Sequence, residues 1–349
     1  MKVHQLLSGA GPVDAVTGQA RAYRERFEAW GWGGGDHAVH VDPRAGRDFR
    51  PLSALRPDPD DVLLFHFSAY APRLAEQLDR PQRKLLVSHN ITPARWFWNH
   101  EPMTAVQCAI GREQLPRFAT GVDLAAGVSQ FNADELAAAG ATETAVVPIL
   151  FDPSAWPPAG PEPAGPPTVL FVGRISPHKR HDLLIRAFAL YRREHAPDAR
   201  LVLVGEPLTP LYGNAIRALG ERLAPGAVTL ESQLSREALA DRWRGAHAFL
   251  CLSEHEGFCI PLLEAFHFGV PVVARPLGGV AEVGGDAILP VGPEDPDLAL
   301  AAELVHRAVT DAELRRTLRL RGQARLAAYA LGDAEAALRA AVERVATHR

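Results

Sequence analysis

Sixteen residues near the middle of the chain, DPSAWPPAGPEPAGPP at 152–167, constrain the fold more than any others. Seven are proline and two are glycine, so neither a helix nor a central strand can run through them. Residues 153–167 read as a stiff linker, and the same pattern occurs on both sides of it. Before it, the apolar runs KVHQLLSG (2–9), DVLLFHF (61–67), KLLVSH (84–89), VDLAAGV (122–128) and TAVVPI (144–149) have strand length. Helical stretches lie between them, at 19–32, 71–79 and 132–140. After it, TVLFVGR (168–174), RLVLVGE (200–206), AVTLES (227–232), HAFLCLS (247–253) and VPVVAR (270–275) alternate with helices over 180–195, 211–224 and 236–246. Short apolar strands alternating with helices argue for parallel sheets covered on both faces. The expected organisation is an N-terminal α/β domain over 1–152, the linker, and a second α/β domain over 168–330. A C-terminal helix over 331–349 is a candidate to pack back on the first domain.

Length and charge agree with this. A chain of 349 residues fits two domains of roughly 100–200 residues each. Net charge is −4, from 37 basic and 41 acidic side chains, which implies no general affinity for nucleic acid. Cys108, Cys251 and Cys259 form no CxxC and no ligand spacing, as expected of reduced thiols in a cytoplasmic protein. No run approaches the ~18 apolar residues that span a bilayer. Peripheral membrane contact stays open, for the case of a lipid-linked acceptor.

In doubly wound sheets, ligands sit at the carboxyl ends of the strands, and with two domains the natural site is a cleft between them. Two stretches carry the chemistry there. In SEHEGFCIPLLEAFHFGVPVVA (253–274), Glu256 and Glu264 bracket an apolar run. Pro261 suits the first helical position and Gly269 the end of the helix. Glu264 is then expected in the first turn, and the N–H groups from Gly257 through Phe258, Cys259 and Ile260 to Leu262 are expected to be free for anionic or hydroxyl groups. A carboxylate accepts two hydroxyl hydrogen bonds and can grip a vicinal diol such as a ribose. In VGRISPHKRHDLLI (172–185), Arg174 closes a strand and Lys179 falls just before a helix, a pair suited to a diphosphate. His89 ends the strand KLLVS and is placed by the same sheet rule. Gly18, in the first strand–helix junction SGAGPVDAVTGQ (8–19), is the candidate for close phosphate approach. The two DPD triplets, at 58–60 and 295–297, read as turns, and no metal site is expected.

LFVGRISPHKRHDLLIRAF, LVLVGEP and CLSEHEGFCIPLLEAFHFGVPVVARPLGGVAEVGGDAILP together resemble the family-4 retaining glycosyltransferases of the GT-B fold, most strongly over 168–290. That resemblance implies two Rossmann-like domains with parallel sheets facing across a cleft. It implies a nucleotide-diphospho-sugar donor (UDP or GDP), a hydroxyl acceptor that is a glycan, a lipid-linked glycan or a small molecule, and no cofactor or bound metal. By the same resemblance, Arg174 and Lys179 bind the donor diphosphate and Glu264 the ribose. Glu256 lies against the donor sugar, the amides of Gly257, Phe258, Cys259 and Ile260 contact sugar and phosphate, and His89 sits near the reacting carbon or the acceptor. The family often has glycine where Cys259 stands, so the thiol is expected to narrow the choice of donor. Two alternatives stay open from sequence: a nucleotide-sugar epimerase or hydrolase on the same architecture, and a non-catalytic nucleotide-sugar-binding protein.

Overall fold

A computed structural model describes residues 1–347 apart from Val13, Gly46, Ala71 and Asp295. The chain forms two compact units. The first comprises Met1–Trp98, Pro102–Leu150 and the C-terminal stretch from Ala330; the second comprises Asn99–Glu101 and Phe151–Tyr329.

In the first unit the elements are β1 (Val3–Ala10), α1 (Ala15–Ala29), β2 (Asp36–Val41), β3 (Phe49–Pro51), β4 (Val62–Phe67), α2 (Pro72–Ala75), β5 (Arg83–Ser88), α3 (Pro102–Thr120), β6 (Leu124–Gly127), α4 (Gln130–Ala138) and β7 (Thr144–Val146). Its seven strands lie in the order β3-β2-β1-β4-β5-β6-β7, and every pair is parallel. Leu63, Phe65, Phe67, Leu86 and Phe118 are wholly or almost wholly buried between sheet and helices. This double burial is why these strands read as unbroken apolar runs rather than as alternation.

The second unit contains β8 (Thr168–Val172), α5 (His181–Glu194), β9 (Arg200–Val204), α6 (Pro210–Leu223), β10 (Val228–Glu231), α7 (Arg236–Arg244), β11 (Ala248–Cys251), α8 (Ile260–Phe268), β12 (Val272–Ala274), α9 (Gly279–Gly284), β13 (Ile288–Pro290), α10 (Leu298–Thr310) and α11 (Ala312–Ala328). Six parallel strands run β10-β9-β8-β11-β12-β13. Along α5 the buried Leu184, Ile185, Ala187, Phe188 and Tyr191 repeat at helical spacing and cover one face of that sheet.

The last helix, α12 (Leu331–Thr347), belongs to the first unit and packs against β4, β5 and β6. Leu338 and Val342 on it are completely buried. Ion pairs from Arg26 to Glu335 and from Arg344 to Glu143 pin its two ends.

Some elements escape the sequence pattern. β2 (DHAVHV) and β3 (FRP) carry too many polar side chains to register as apolar runs. The helix α3 contains both Gly111 and Pro116. Gly111 has a packing reason: a Cβ there would stand 2.9 Å from Ile91 Cδ1 and 3.1 Å from the Tyr70 nitrogen. Residues 153–167, expected as a linker, are part of the second unit and lie along it. Arg244 Nε donates to the Pro158 carbonyl at 3.1 Å, His267 Nε2 to that of Pro157 at 3.0 Å, and Arg319 pairs with Glu162 at 2.9 Å. A proline-rich strand has carbonyls to offer and few N–H groups, so arginine and histidine donors are its natural partners.

Candidate active site

Each sheet reverses its strand order at one place, between β1 and β4 in the first unit and between β8 and β11 in the second. Crevices at the carboxyl ends of such strands are where doubly wound folds bind ligands. In the second unit, Arg174 and Lys179 follow β8, and Glu254 and Glu256 follow β11.

Lys179 ends a short 3-10 turn, Pro177–Lys179, and its ammonium forms an ion pair with Glu256 Oε1. Both side chains are nearly sealed, at 16% and 10% exposure. Burial opposes the ammonium charge, but Glu256 outweighs it, so the pKa of Lys179 lies above its usual value. Arg174 is exposed and its side chain makes no ion pair or hydrogen bond with the described residues. His178 stands between the two cations in sequence; burial first, then the charges of Lys179 and Arg174, hold it neutral. Arg174, Lys179 and Glu256 thus converge on one corner of the second unit.

The helix α8 starts from an unusual backbone. Cys259 is its N-cap, with φ of 74°, a left-handed conformation that an L-residue adopts at a cost of roughly 1–2 kcal/mol. That cost accounts for the glycine common at this position in the resembled family. The N–H groups of Phe258, Cys259 and Ile260 have no acceptor among the described residues. The expectation of free amides fails at Leu262, whose N–H donates to the Cys259 carbonyl at 3.0 Å. Phe258 offers only its backbone, because its ring is buried edge-on against Tyr329. Gly257 packs against Gly279, where a Cβ would meet the Gly257 carbonyl at 2.5 Å, and Gly279 N–H donates to the Glu256 carbonyl.

Glu264 is the fifth residue of α8, one residue past the first-turn position expected for it, because the helix begins at Ile260 and not at Pro261. It is buried and accepts from Trp243 Nε1 at 3.1 Å. Burial raises its pKa to about 7, against smaller opposing effects of Trp243 and Arg236.

Three features near this corner were not legible in the sequence. Glu254 bridges Arg180 (2.8 Å) and Arg275 (2.5 Å), bracing the loop that carries Glu256. Arg275 is buried and also donates to the Pro293 carbonyl. The third is a cluster: Sγ of Cys251, Sγ of Cys259 and a carboxylate oxygen of Glu256 lie within 4.8 Å of one another. The two thiols share a hydrogen bond that lowers the pKa of Cys251 and, with burial, raises that of Cys259 well above its usual value.

The first DPD triplet forms a turn, closed by the Asp61 N–H on the Asp58 carbonyl at 3.2 Å, whereas the second leads into a helix. Asp58 pairs with Lys2, and Asp297 caps α10; Asp295 lies outside the described residues.

In the first unit, His89 follows β5 and is half-buried. Its Nε2 lies 2.8 Å from Nδ1 of His66, a fully buried residue on β4. His66 Nε2 lies 2.8 Å from Gln5 Oε1, and the Gln5 amide nitrogen spends both hydrogens, on Asp36 Oδ1 and the Ala20 carbonyl. Arg24 holds Asp36 in turn. The chain of bonds admits one proton arrangement. Gln5 Oε1 can only accept, so His66 carries its proton on Nε2 and accepts at Nδ1. His89 must then carry its proton on Nε2, leaving Nδ1 a bare lone pair. Burial lowers the pKa of His89 to about 4. Nitrogen-15 chemical shifts should therefore report His89 as the neutral Nε2–H form down to about pH 5. An Nδ1–H ring, or titration near 6.5, would contradict the arrangement.

Gly18 is a correction. It lies inside α1, its N–H donates to the Asp14 carbonyl at 2.9 Å, and it is exposed with open space around it. The loop ends earlier than expected because Asp14 caps the helix, accepting from Thr17 N at 2.8 Å.

The family model described as "Glycosyl transferases group 1" matches residues 154–325. A D-inositol 3-phosphate glycosyltransferase from Mycolicibacterium gilvum is 35% identical over 149 residues, covering 41% of this chain and 29% of that relative. An alpha-maltose-1-phosphate synthase from Mycobacterium tuberculosis is 28% identical over 283 residues, covering 73% of this chain and 71% of the relative. The chain spans about a third of the length of the D-inositol 3-phosphate glycosyltransferases it matches. Among solved structures, Anabaena HepE in complex with UDP and glucose superposes with a TM-score of 0.74 at 17% identity, covering 99% of this chain and 100% of that one.

Proposed function

We propose that this chain, whose residues 154–325 match the model of the glycosyl transferases group 1, is a retaining glycosyltransferase that moves a hexose-type sugar from a nucleotide-diphospho-sugar to a hydroxyl acceptor. The observation that carries this reading is the corner after β8 and β11. There a buried Lys179–Glu256 pair gathers at the start of α8 with the Arg174 side chain and the amides of Phe258, Cys259 and Ile260, all without a partner among the described residues.

In this reading the donor diphosphate lies across Arg174, Lys179 and those amides. As the sugar–oxygen bond breaks, the leaving diphosphate gains charge, and groups already oriented toward it stabilise the transition state more than the ground state. Lys179 can exchange part of its pairing with Glu256 for phosphate oxygen, leaving Glu256 to accept from a sugar hydroxyl. Glu264 takes the ribose diol with the oxygen that Trp243 does not occupy. His89, with its bare Nδ1, accepts from a hydroxyl of the sugar or the acceptor. The leaving phosphate receives the acceptor proton in a front-face attack that retains configuration. Charge neutralisation by cations and amides leaves no step that calls for a metal, and a chelator should leave turnover undiminished.

No helix among the described residues is long and apolar enough to cross a membrane. Met103, Val106 and Ile110 nevertheless form an exposed apolar line along α3, with Trp98 exposed just before it. That supports a lipid-linked acceptor and peripheral membrane contact within the proposal.

The test is a thermal-shift screen with UDP- and GDP-sugars, followed by transfer to glycan, lipid-linked and small hydroxyl acceptors. A ligand that binds the folded chain raises its melting temperature. The proposal expects one donor class to stabilise and its product to keep the anomeric configuration by NMR. Turnover of donor at full rate without acceptor would replace it with a hydrolase or epimerase. Stabilisation with no turnover would replace it with a binding protein.

A further inference from the structure

We propose that Cys251, Cys259 and Glu256 form a binding site for a thiophilic divalent cation, with zinc as the expected occupant. The three donor atoms already lie within 4.8 Å of one another. Zinc–sulfur and zinc–oxygen bonds of about 2.3 and 2.0–2.2 Å set tetrahedral donor–donor separations of roughly 3.3–3.8 Å, so closure takes a movement of about 1 Å.

The ligands come from two firmly held places. Cys251 ends the central strand β11 and is 1% exposed; Cys259, 7% exposed, caps α8 in its left-handed backbone. Ser253 Oγ lies 3.4 Å from Cys251 Sγ and orients it. Sequence spacing hides the set, because the strand end and the helix start meet only after the loop between them folds back.

Charge favours the same occupant. Two thiolates and a carboxylate around a divalent ion leave one negative charge, and the ammonium of Lys179 balances it on the spot. Glu256 Oε1 already serves Lys179, which leaves the second oxygen for the metal. A neutral assembly is what a buried corner tolerates. Sulfur donors select zinc and its soft neighbours over magnesium and calcium. Each thiol loses its proton to solvent on binding, so affinity rises with pH. Three protein ligands leave a fourth position open. If the proposed function holds, a consequence follows: metal and donor sugar share Glu256 and both engage Cys259, the metal at its thiolate and the donor at its amide, so zinc and donor exclude each other.

The experiment uses cobalt(II) as a spectroscopic probe on the full chain under reducing conditions. Thiolate ligation gives a near-ultraviolet charge-transfer band and visible bands of tetrahedral cobalt; both should saturate at one cobalt per chain and vanish on adding zinc but not magnesium. Cys251→Ser and Cys259→Gly should each lose the charge-transfer band while circular dichroism shows the fold intact. Glycine accepts the backbone of residue 259 without strain, so that variant keeps the loop. Absence of the band in the native chain, or its persistence in both variants, overturns the proposal, the second outcome pointing to Cys108 instead. This readout does not involve glycosyl transfer. A chain that binds cobalt but transfers no sugar would leave the metal site standing and remove only the functional reading.

Discussion

Arg174→Ala and Lys179→Ala should each slow glycosyl transfer by about 100- to 1000-fold, the usual loss when one preorganised charge-stabilising group is removed, but with different effects on stability. Arg174 is exposed and unpartnered among the described residues, so its removal should shift the melting temperature hardly at all. Lys179 is the partner of a buried carboxylate. Truncating it strands Glu256, a loss of about 3–5 kcal/mol for a broken buried pair. Unfolding of the second unit should move down by roughly 10 °C. The double variant Lys179→Met with Glu256→Gln removes both charges together, so it should recover most of that stability and none of the transfer. Kinetics and calorimetry on the four proteins separate the two effects. Near-normal turnover in Arg174→Ala and in the double variant would remove the mechanism, whatever their melting points.

Glu264 should make donor binding pH-dependent in a direction its burial fixes. In the donor-free protein its pKa is raised from the usual 4.5 to about 7. Between those values the folded chain holds a proton that the unfolded chain has released. The stability this group contributes is therefore complete below about pH 4.5 and is lost as pH rises through 7, by roughly 3 kcal/mol in all. A ribose diol donates hydrogen bonds and favours the ionised carboxylate, so it pulls the pKa back down. Donor affinity should climb by up to about tenfold per pH unit toward pH 7 and level off above it. Glu264→Gln keeps an oxygen for Trp243 but cannot titrate. It should melt higher than the native protein at pH 8, weaken donor binding by about 10- to 100-fold, and flatten the pH dependence. Isothermal titration at several pH values decides it; equal slopes in both proteins would assign the diol to another group.

What could be read from the sequence followed from local chemistry. Apolar strands buried on both faces announce themselves as runs, and Glu256 and Glu264 stand out because they bracket an uncharged, largely apolar run, residues 257–263. The Lys179 and Arg174 pair is legible because one closes a strand and the other falls just before a helix. Three-dimensional pairings were not legible. Gln5 meets His66 only because β1 and β4 align in register, sixty-one residues apart in sequence. Cys251 and Cys259 lack any ligand spacing, yet the loop between them folds back and joins their sulfurs. Gly18 was misplaced although a signal was present: Asp14, three residues before Thr17, caps a helix that starts at Ala15, so the supposed phosphate loop is already helical. The linker reading followed composition to a segment whose one regular element is a short 3-10 turn, Pro153–Ala155, but composition could not show Arg244 donating to the Pro158 carbonyl or Arg319 pairing with Glu162.

The C-terminal helix carries a consequence for how the protein is made. Leu338 and Val342 complete the interior of the unit that the ribosome begins first. Domains usually fold as they emerge, in the order of synthesis. Here the earlier half must wait, its sheet lacking one wall, until residues beyond 330 have left the tunnel, while the later half already has everything it needs. Of the two units, the one made earlier is the one finished later.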